Sequence, residues 1–162
     1  YNGERIDVLV QNAAFDPSSI LLDERSQILY WTDPNKCRIG SYDLRTQRVN
    51  MNFIIDVGEY PDGMVLDPYQ NRLYWASNID SRIGWVNLQD LLPTAITIPV
   101  QEAPTALEFD SIRNRLYYTT FDRQKIKWFD IQGNTLSQSP AGFKGYELGA
   151  ASPGVVRMIE GA

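Results

Sequence analysis

Leu29-Tyr30-Trp31-Thr32-Asp33 is repeated, with changes, as Leu73-Tyr74-Trp75-Ala76-Ser77 and again as Leu116-Tyr117-Tyr118-Thr119-Thr120. The first tyrosines of the three stretches are 44 and 43 residues apart. Each stretch is apolar on successive residues, which is typical of a strand buried on both faces. A period of about 40–50 residues in a strand-rich chain predicts a β-propeller with one four-stranded antiparallel blade per repeat.

The residues around these stretches repeat in the same register. Each tyrosine is preceded by a proline and an acid and is followed by a basic residue: Pro17, Asp23 and Arg38; Pro61, Asp67 and Arg82; Pro104, Asp110 and Lys125. In Asp67-Pro68-Tyr69-Gln70-Asn71 the acid opens a segment suited to a type I turn with a left-handed exit. We therefore assign the acids to turn formation. A metal role is the alternative, but equivalent positions on adjacent sheets lie about 10 Å apart, too far to share one Ca²⁺.

The repeat divides the chain into full blades at 17–60, 61–103 and 104–152, with 1–16 ending a preceding blade and 153–162 starting the next. Four strands are expected per blade, and the outermost are placed at 6–11, 51–57 and 95–100. The segment 133–149 of the third unit is expected to be a longer outer hairpin or a surface loop. Because a propeller hides its apolar flanks by closing, with roughly four to eight blades, we expect about three and a half blades of a larger domain.

Composition excludes several classes of function for this segment. The net charge is −5 and the basic residues are scattered, so no nucleic-acid footprint is present. No apolar run approaches the roughly 20 residues of a membrane span, and we expect no membrane insertion. The absence of histidine removes His-based triads and His metal ligands. We predict no cofactor and no metal, and we interpret Cys37 as a small buried residue on a strand.

The first motif, with Arg38-Ile39 downstream and Leu22-Asp23 upstream, resembles the YWTD repeat, also called the LDL-receptor class B repeat. The resemblance covers residues 6–159 and implies a propeller with six blades when complete. It also implies an extracellular or cell-surface module that binds or scaffolds proteins and is not an enzyme. The structural motif residues it identifies are Tyr30, Trp31, Asp33, Tyr74, Trp75, Tyr117, Tyr118, Arg38, Arg82 and Lys125.

The chain departs from that pattern at the last position of the motif. The acid is present as Asp33 but is replaced by Ser77 and Thr120 in the other two repeats. The resemblance implies that this acid pairs with a basic residue across the blade packing. We therefore expect Arg38, Arg82 and Lys125 to be inter-blade partners, with neutral hydrogen bonds replacing the ion pair in repeats two and three.

Recognition is expected at one end of the blades. In an up-and-down blade, the loops between the second and third strands and the segments joining one blade to the next emerge on the same face. Loops on a rigid scaffold often carry binding residues, and exposed aromatic and arginine side chains dominate many interfaces. We predict contact with other proteins, or with other domains of one assembly, through Tyr60, Phe121, Arg123, Asn35, Lys36, Asn78, Asp80, Glu59 and Glu102.

Two alternatives stay open on sequence grounds. One is a six-bladed, metal-dependent hydrolase or lactonase-like enzyme whose ligands lie in other blades. The other is an architectural spacer in a filament or matrix, with contacts only to its own assembly.

Overall fold

The computed structural model describes residues 7–12, 15–55, 57–90, 96–100, 102–122, 125–131 and 146–147. Within these ranges the chain forms β-strands and a single 3₁₀ turn at Pro34–Lys36, with no α-helix. The all-β prediction is confirmed, and the sheets are β-propeller blades.

Twelve strands form three antiparallel sheets in the described ranges, each sheet built from four consecutive strands in chain order. Sheet 1 contains β1 (Ile20–Asp23), β2 (Ile28–Asp33), β3 (Arg38–Asp43) and β4 (Arg48–Ile55); sheet 2 contains β5 (Pro61–Asp67), β6 (Arg72–Ser77), β7 (Arg82–Asn87) and β8 (Ile96–Pro99); sheet 3 contains β9 (Pro104–Asp110), β10 (Arg115–Thr120), β11 (Ile126–Asp130) and β12 (Tyr146–Glu147). The assignment of the whole chain to part of one larger propeller stays a prediction.

The repeated acids form the first turn of each sheet. Asp67 Oδ1 accepts hydrogen bonds from the backbone N–H groups of Tyr69 (2.9 Å) and Gln70 (3.1 Å). Asp23 and Asp110 accept the equivalent pairs of bonds. The turns leave through residues with positive φ, including Asn71 at 54°, a conformation that asparagine tolerates well.

The motif tryptophans pack on glycines of the neighbouring strand. Trp31 is directly opposite Gly40, and Trp75 is directly opposite Gly84. A Cβ added at Gly84 would lie 2.2 Å from Cε2 of the indole. Only glycine leaves room for the ring to lie against the backbone at these positions. In sheet 3 both partners change, because Tyr118 is opposite Lys127.

The sheets stack face to face through the same positions each time. We call the side of sheet 2 that carries Met64, Leu73 and Trp75 its front face, and the side that carries Tyr74 and Ile83 its back face; equivalent residues define the faces of sheets 1 and 3. The back of sheet 1 packs on the front of sheet 2 in one apolar cluster. The back of sheet 2 packs on the front of sheet 3 in a second cluster. Burying aromatic residues of this size is a major source of stability.

Two expectations about local structure are wrong. Residues 7–11, most of the strand predicted at 6–11, do not form a strand, because each described third strand already pairs with its own fourth strand. Cys37 is half-exposed in the β2–β3 loop at φ 48°, since the 3₁₀ turn that begins at Pro34 moves the start of β3 to Arg38. The start of the next blade, predicted at 153–162, lies outside the described residues.

Candidate functional site: the loop rim

One end of the stacked sheets is formed by the segments predicted for recognition. Because neighbouring strands are antiparallel, the described loop residues 34–37, 78–81, 121–122 and 125 emerge at the same end as the described joining residues 57–60, 100 and 102–103. We call this set of segments the rim. Backbone hydrogen bonds join its parts: Asn78 N–H donates to Tyr60 O (3.2 Å), and Phe121 N–H donates to Ala103 O (2.8 Å). The rim is thus a hydrogen-bonded unit built on strand ends.

In sheet 1 the rim is anchored by the motif's acid. Asp33 is fully buried and lies directly opposite Arg38 on the next strand. Arg38 Nε and Nη2 donate to Asp33 Oδ2 at 3.0 and 2.8 Å, and Nη1 donates to Asn52 Oδ1 at 3.0 Å. This ion pair lies within one blade, which corrects the expectation of an inter-blade contact. The pairing follows from the register, which places the two side chains on adjacent strands.

In sheet 2 an acid three residues further along takes over this role. Asp80 Oδ2 pairs with Arg82 Nη2, accepts a hydrogen bond from Ser77 Oγ at 3.1 Å, and accepts another from Glu59 N–H at 2.6 Å. Partial burial of Asp80 opposes ionisation, but the hydrogen bonds from Arg82, Glu59 and Ser77 outweigh it and hold its pKa below the ordinary value. One carboxylate therefore ties the β6–β7 loop to the joining segment that precedes β5.

In sheet 3 the acid comes from the joining segment itself. Lys125 Nζ lies 2.8 Å from Glu102 Oε1, and Lys127 Nζ lies 2.9 Å from Glu102 Oε2. Hydrogen bonds from Lys125 and Lys127 lower the pKa of Glu102. The Thr120 hydroxyl donates to Asp122 on the loop.

The expectation of neutral ties in repeats two and three is therefore wrong. Ser77 and Thr120 do form hydrogen bonds, but a carboxylate elsewhere on the rim restores the ionic pairing in each case. In repeat two, the sequence indicates the ion pair by an acid two residues before the arginine, Asp80-x-Arg82. An alignment of the motif positions misses this acid, because it lies three residues after the position that Asp33 occupies in repeat one. Glu102 is further away along the chain, and only the fold brings it to β11.

The predicted contact residues fall into different environments. Tyr60 and Phe121 are 45% and 68% exposed, and Glu59, Asn35 and Lys36 are also exposed. The Asn35 amide donates to Asp16. Arg123 lies outside the described residues.

Asn78 differs from the other predicted contacts. It is only 9% exposed, so it supports the rim through its backbone and offers little surface to a partner. A residue that the sequence analysis did not select, Ile79, follows it and is 62% exposed. Together with Tyr60 and Phe121, Ile79 gives the rim three exposed apolar side chains.

A second polar position lies at the inner edge of the sheets, where β1, β5 and β9 are neighbours. Burial raises the pKa of Asp62, and a hydrogen bond with Ser18 of the adjacent unit opposes the rise. A Cβ on the neighbouring Gly63 would come within 2.5 Å of Thr105 O, so β5 and β9 approach closely here. Among the described residues, no group of three His, Cys, Asp or Glu side chains is arranged to hold a metal ion.

The profile of the SMP-30/gluconolactonase/LRE-like region matches residues 4–122. The chain belongs to the SMP-30/gluconolactonase/LRE-like family. This family includes lactonases, so membership establishes propeller repeats and does not separate an enzyme from a binding module. No protein of curated function matches the sequence.

Solved structures similar to this SMP-30/gluconolactonase/LRE-like chain share its fold. In the nidogen/laminin complex the similar chain has a TM-score of 0.69 at 22% identity, over 79% of this chain and 48% of that one. The similar chain of Kuenenia stuttgartiensis hydrazine synthase has a TM-score of 0.62 at 17% identity, over 79% of this chain and 36% of that one. Virginiamycin B lyase from Staphylococcus aureus, solved with quinupristin, has a TM-score of 0.63 at 12% identity, over 76% of this chain and 41% of that one. This chain spans less than half of each of these similar chains, which come from a protein complex, a synthase and a lyase. No helix in the described part of the chain is both long and apolar enough to cross a membrane.

Proposed function

We propose that this chain is a non-catalytic protein-binding part of a larger extracellular or cell-surface protein, and that the rim is its recognition surface. The observation that carries the proposal is the set of exposed apolar side chains on the rim, Tyr60, Ile79 and Phe121. These side chains are held by loops that the backbone hydrogen bonds at Asn78 and Phe121 fix to the joining segments. Large side chains presented on a rigid support lose little conformational freedom on binding.

The charge around these side chains favours a partner with a basic or polar surface. Glu59 is exposed beside Tyr60, Asp122 is exposed beside Phe121, and the net charge of the chain is −5. The YWTD-like motif is consistent with an extracellular binding module, and a chain of similar fold occurs in a nidogen/laminin complex. These likenesses support the assignment to a YWTD-type propeller.

Surface plasmon resonance of the chain against a panel of extracellular matrix proteins that includes laminin tests this proposal. Replacing Tyr60, Phe121 and Arg123 together by alanine should weaken binding at least about tenfold, because truncation of an interface anchor typically costs more than about 1 kcal/mol. Tyr69→Ala is the matched control, since this tyrosine is 80% exposed on a turn at the opposite end of the sheets. Equal affinity of the triple variant and the parent chain would remove the rim from the proposal.

A second candidate function is a metal-dependent hydrolase or lactonase completed by other blades. The family match favours it, as does Asp62, a half-buried carboxyl with a raised pKa at the inner edge of the sheets. Tight stoichiometric binding of Ca²⁺ or Zn²⁺ in a calorimetric titration, lost in Asp62→Asn, would favour this candidate over the first. The third possibility is a purely architectural role. In that case a map of the intact protein should show the rim in contact only with domains of the same assembly.

A further inference from the structure

The first strands of sheets 2 and 3 share a β-bulge at the end that carries the rim. In sheet 2 the two residues Asp62 and Gly63 face the single residue Ala76. In sheet 3 the register shifts at the equivalent position, where residues 105–106 face Thr119. A β-bulge changes the direction of a side chain, and bulges are common beside functional sites. The two bulges have the same place in the fold and different residues, so their chemistry can be compared.

The bulge of sheet 3 is closed by a threonine of the neighbouring strand. Thr119 Oγ1 lies 2.7 Å from Thr105 Oγ1 and accepts a hydrogen bond of 3.2 Å from the backbone of the bulge. In sheet 1 the equivalent Thr32 Oγ1 accepts a hydrogen bond from Ser19 N–H at 3.0 Å. In sheet 2 this threonine is replaced by Ala76, which has no hydroxyl. The bulge of sheet 2 therefore lacks the closing threonine and carries an aspartate instead.

This aspartate, Asp62, is a half-buried carboxyl at the inner edge of the sheets. Burial raises its pKa, and a hydrogen bond with the Ser18 hydroxyl of the preceding unit opposes the rise. In the part of the chain that the structure describes, no lysine or arginine forms an ion pair with Asp62. The carboxylates of Asp33, Asp80 and Glu102 at the same end each have such a partner. Asp62 thus differs from them, because no described cation offsets its partial desolvation.

Tyr60 precedes this carboxyl by two residues and has an unfavourable backbone conformation. Its φ is 58°, in the left-handed region that is rare for bulky residues. Its carbonyl accepts a hydrogen bond from Asn78 N–H at 3.2 Å, and its side chain is 45% exposed. Backbone strain that the surrounding structure maintains is typical of functional sites. The Cα atoms of Tyr60 and Asp62 are at most about 7 Å apart, because an extended residue spans at most about 3.6 Å.

We propose that Asp62 and Tyr60 form a subsite for a lysine or arginine side chain of the protein partner. A basic side chain has an apolar stem and a cationic head, which suit an aromatic ring and a carboxylate respectively. Such a head group supplies the positive charge that the half-buried carboxyl lacks among the described residues. The exposed Glu59 and the net charge of −5 favour the approach of a basic partner. The inference rests on the proposed function of the rim and adds one chemical requirement for the partner.

Selection of a random phage-displayed peptide library on the parent chain tests this proposal. Peptides that bind through the rim are those lost on the double variant Ile79→Ala, Phe121→Ala, which leaves the subsite intact. These peptides should contain lysine or arginine well above the frequency in the unselected library. Selection on Asp62→Asn should remove this enrichment and keep the apolar residues.

Affinity measurements on one selected peptide separate a direct contact from a structural role. Fluorescence anisotropy should show that Asp62→Asn weakens binding at least about tenfold, because one member of a partly buried charge pair is lost. Replacing the basic residue of the peptide by glutamine should weaken binding to the parent chain by a similar factor and leave binding to Asp62→Asn almost unchanged. The peptide substitution tests the contact even if Asp62→Asn loses its strand content by circular dichroism.

Asp90→Asn is the matched control. It removes the same charge from an exposed position after β7, at the opposite end of the sheets. This variant should bind the peptide like the parent chain. Equal weakening in Asp62→Asn and Asp90→Asn would show general electrostatic attraction and overturn the subsite.

The remaining outcomes separate this inference from the function on which it rests. If no selected peptide depends on Ile79 and Phe121, the proposed function of the rim fails and this inference fails with it. Rim-dependent peptides without enrichment of basic residues, or with equal affinity for the parent chain and Asp62→Asn, would overturn this inference alone. So would a calorimetric titration in which Ca²⁺ or Zn²⁺ binds tightly to the parent chain but not to Asp62→Asn, because the carboxyl would then hold a metal ion.

Discussion

Trp75 shows how a single side chain fixes the local structure of a blade. Its indole lies against Gly84 on the next strand, and its Nε1–H donates to Val57 O at 2.7 Å in the buried interior. The ring therefore joins two neighbouring strands of sheet 2 to the segment that enters the sheet. The contact between the indole and the glycine backbone occurs in both sheets and explains why the motif tryptophan is opposite glycine in sheets 1 and 2.

Gly84→Ala should destabilise the protein by about 1–3 kcal/mol, the usual range for overpacking a core. The reason is that the new methyl group would sit 2.2 Å from a carbon of a fully buried ring. Urea denaturation followed by tryptophan fluorescence measures the difference. Gln89→Ala, at an exposed turn position, is the control and should be near neutral. A Gly84→Ala protein as stable as the parent would show that the ring does not rest on the backbone in solution.

The contribution of each rim ion pair to the free energy of unfolding should increase with the burial of its side chains. Asp33 is fully buried, so Asp33→Asn leaves Arg38 without its counter-charge and should cost about 3 kcal/mol. The Asp80–Arg82 pair is more exposed, with side chains 20% and 39% accessible, and Asp80→Asn should cost about 1 kcal/mol. Thermal unfolding of the two variants compares them directly. The reverse order would contradict the expectation that the more deeply buried pair contributes more to stability.

At the scale of the element, the strands and turns could be predicted because their causes are local. The second strands at 28–33, 72–77 and 115–120 follow from unbroken apolar runs, and the turns follow from an aspartate that accepts its own turn's N–H groups. The strand expected at 6–11 failed because a strand also needs a neighbour to pair with, which local sequence does not reveal. The ion pairs of Asp80 and Glu102 could not be predicted either, because they depend on the geometry of the loops, which local sequence does not reveal.

The joining segment that contains Glu102 should make the third sheet sensitive to acid. Hydrogen bonds from Lys125 and Lys127 lower the pKa of Glu102, so the unfolded chain takes up a proton at higher pH than the folded chain does. The stabilisation is therefore complete above the ordinary glutamate pKa, 4.5 here, and is lost as the pH falls through the lower folded value.

Melting temperatures between about pH 7 and about pH 3 test this expectation. Glu102→Gln should be less stable than the parent at neutral pH, and the gap should close on acidification. Glu24→Gln, on an exposed turn, should follow the parent at every pH. A Glu102→Gln gap that stays constant down to pH 3 would show that the ion pairs contribute nothing through charge.

At the scale of the whole molecule, the described sheets form a stack in which the middle sheet packs on a neighbour through each of its two faces. The clusters between sheets 1 and 2 and between sheets 2 and 3 use equivalent positions. The sequence period predicted this stacking, because 44- and 43-residue spacings place equivalent side chains in equivalent places. The candidate site could not be predicted to the same depth, since exposed loop residues such as Ile79 do not repeat between the units.

The stacking is tested most directly by nuclear Overhauser contacts between aromatic rings of adjacent sheets. Tyr74 of sheet 2 and Phe109 of sheet 3 are stacked, with ring centroids 6.5 Å apart and planes at 16°. We predict cross-peaks between the protons of these two rings, together with a protected Trp75 indole N–H near Val57. Strands that form with their sequence register intact but show no contact between the Tyr74 and Phe109 rings would contradict the account.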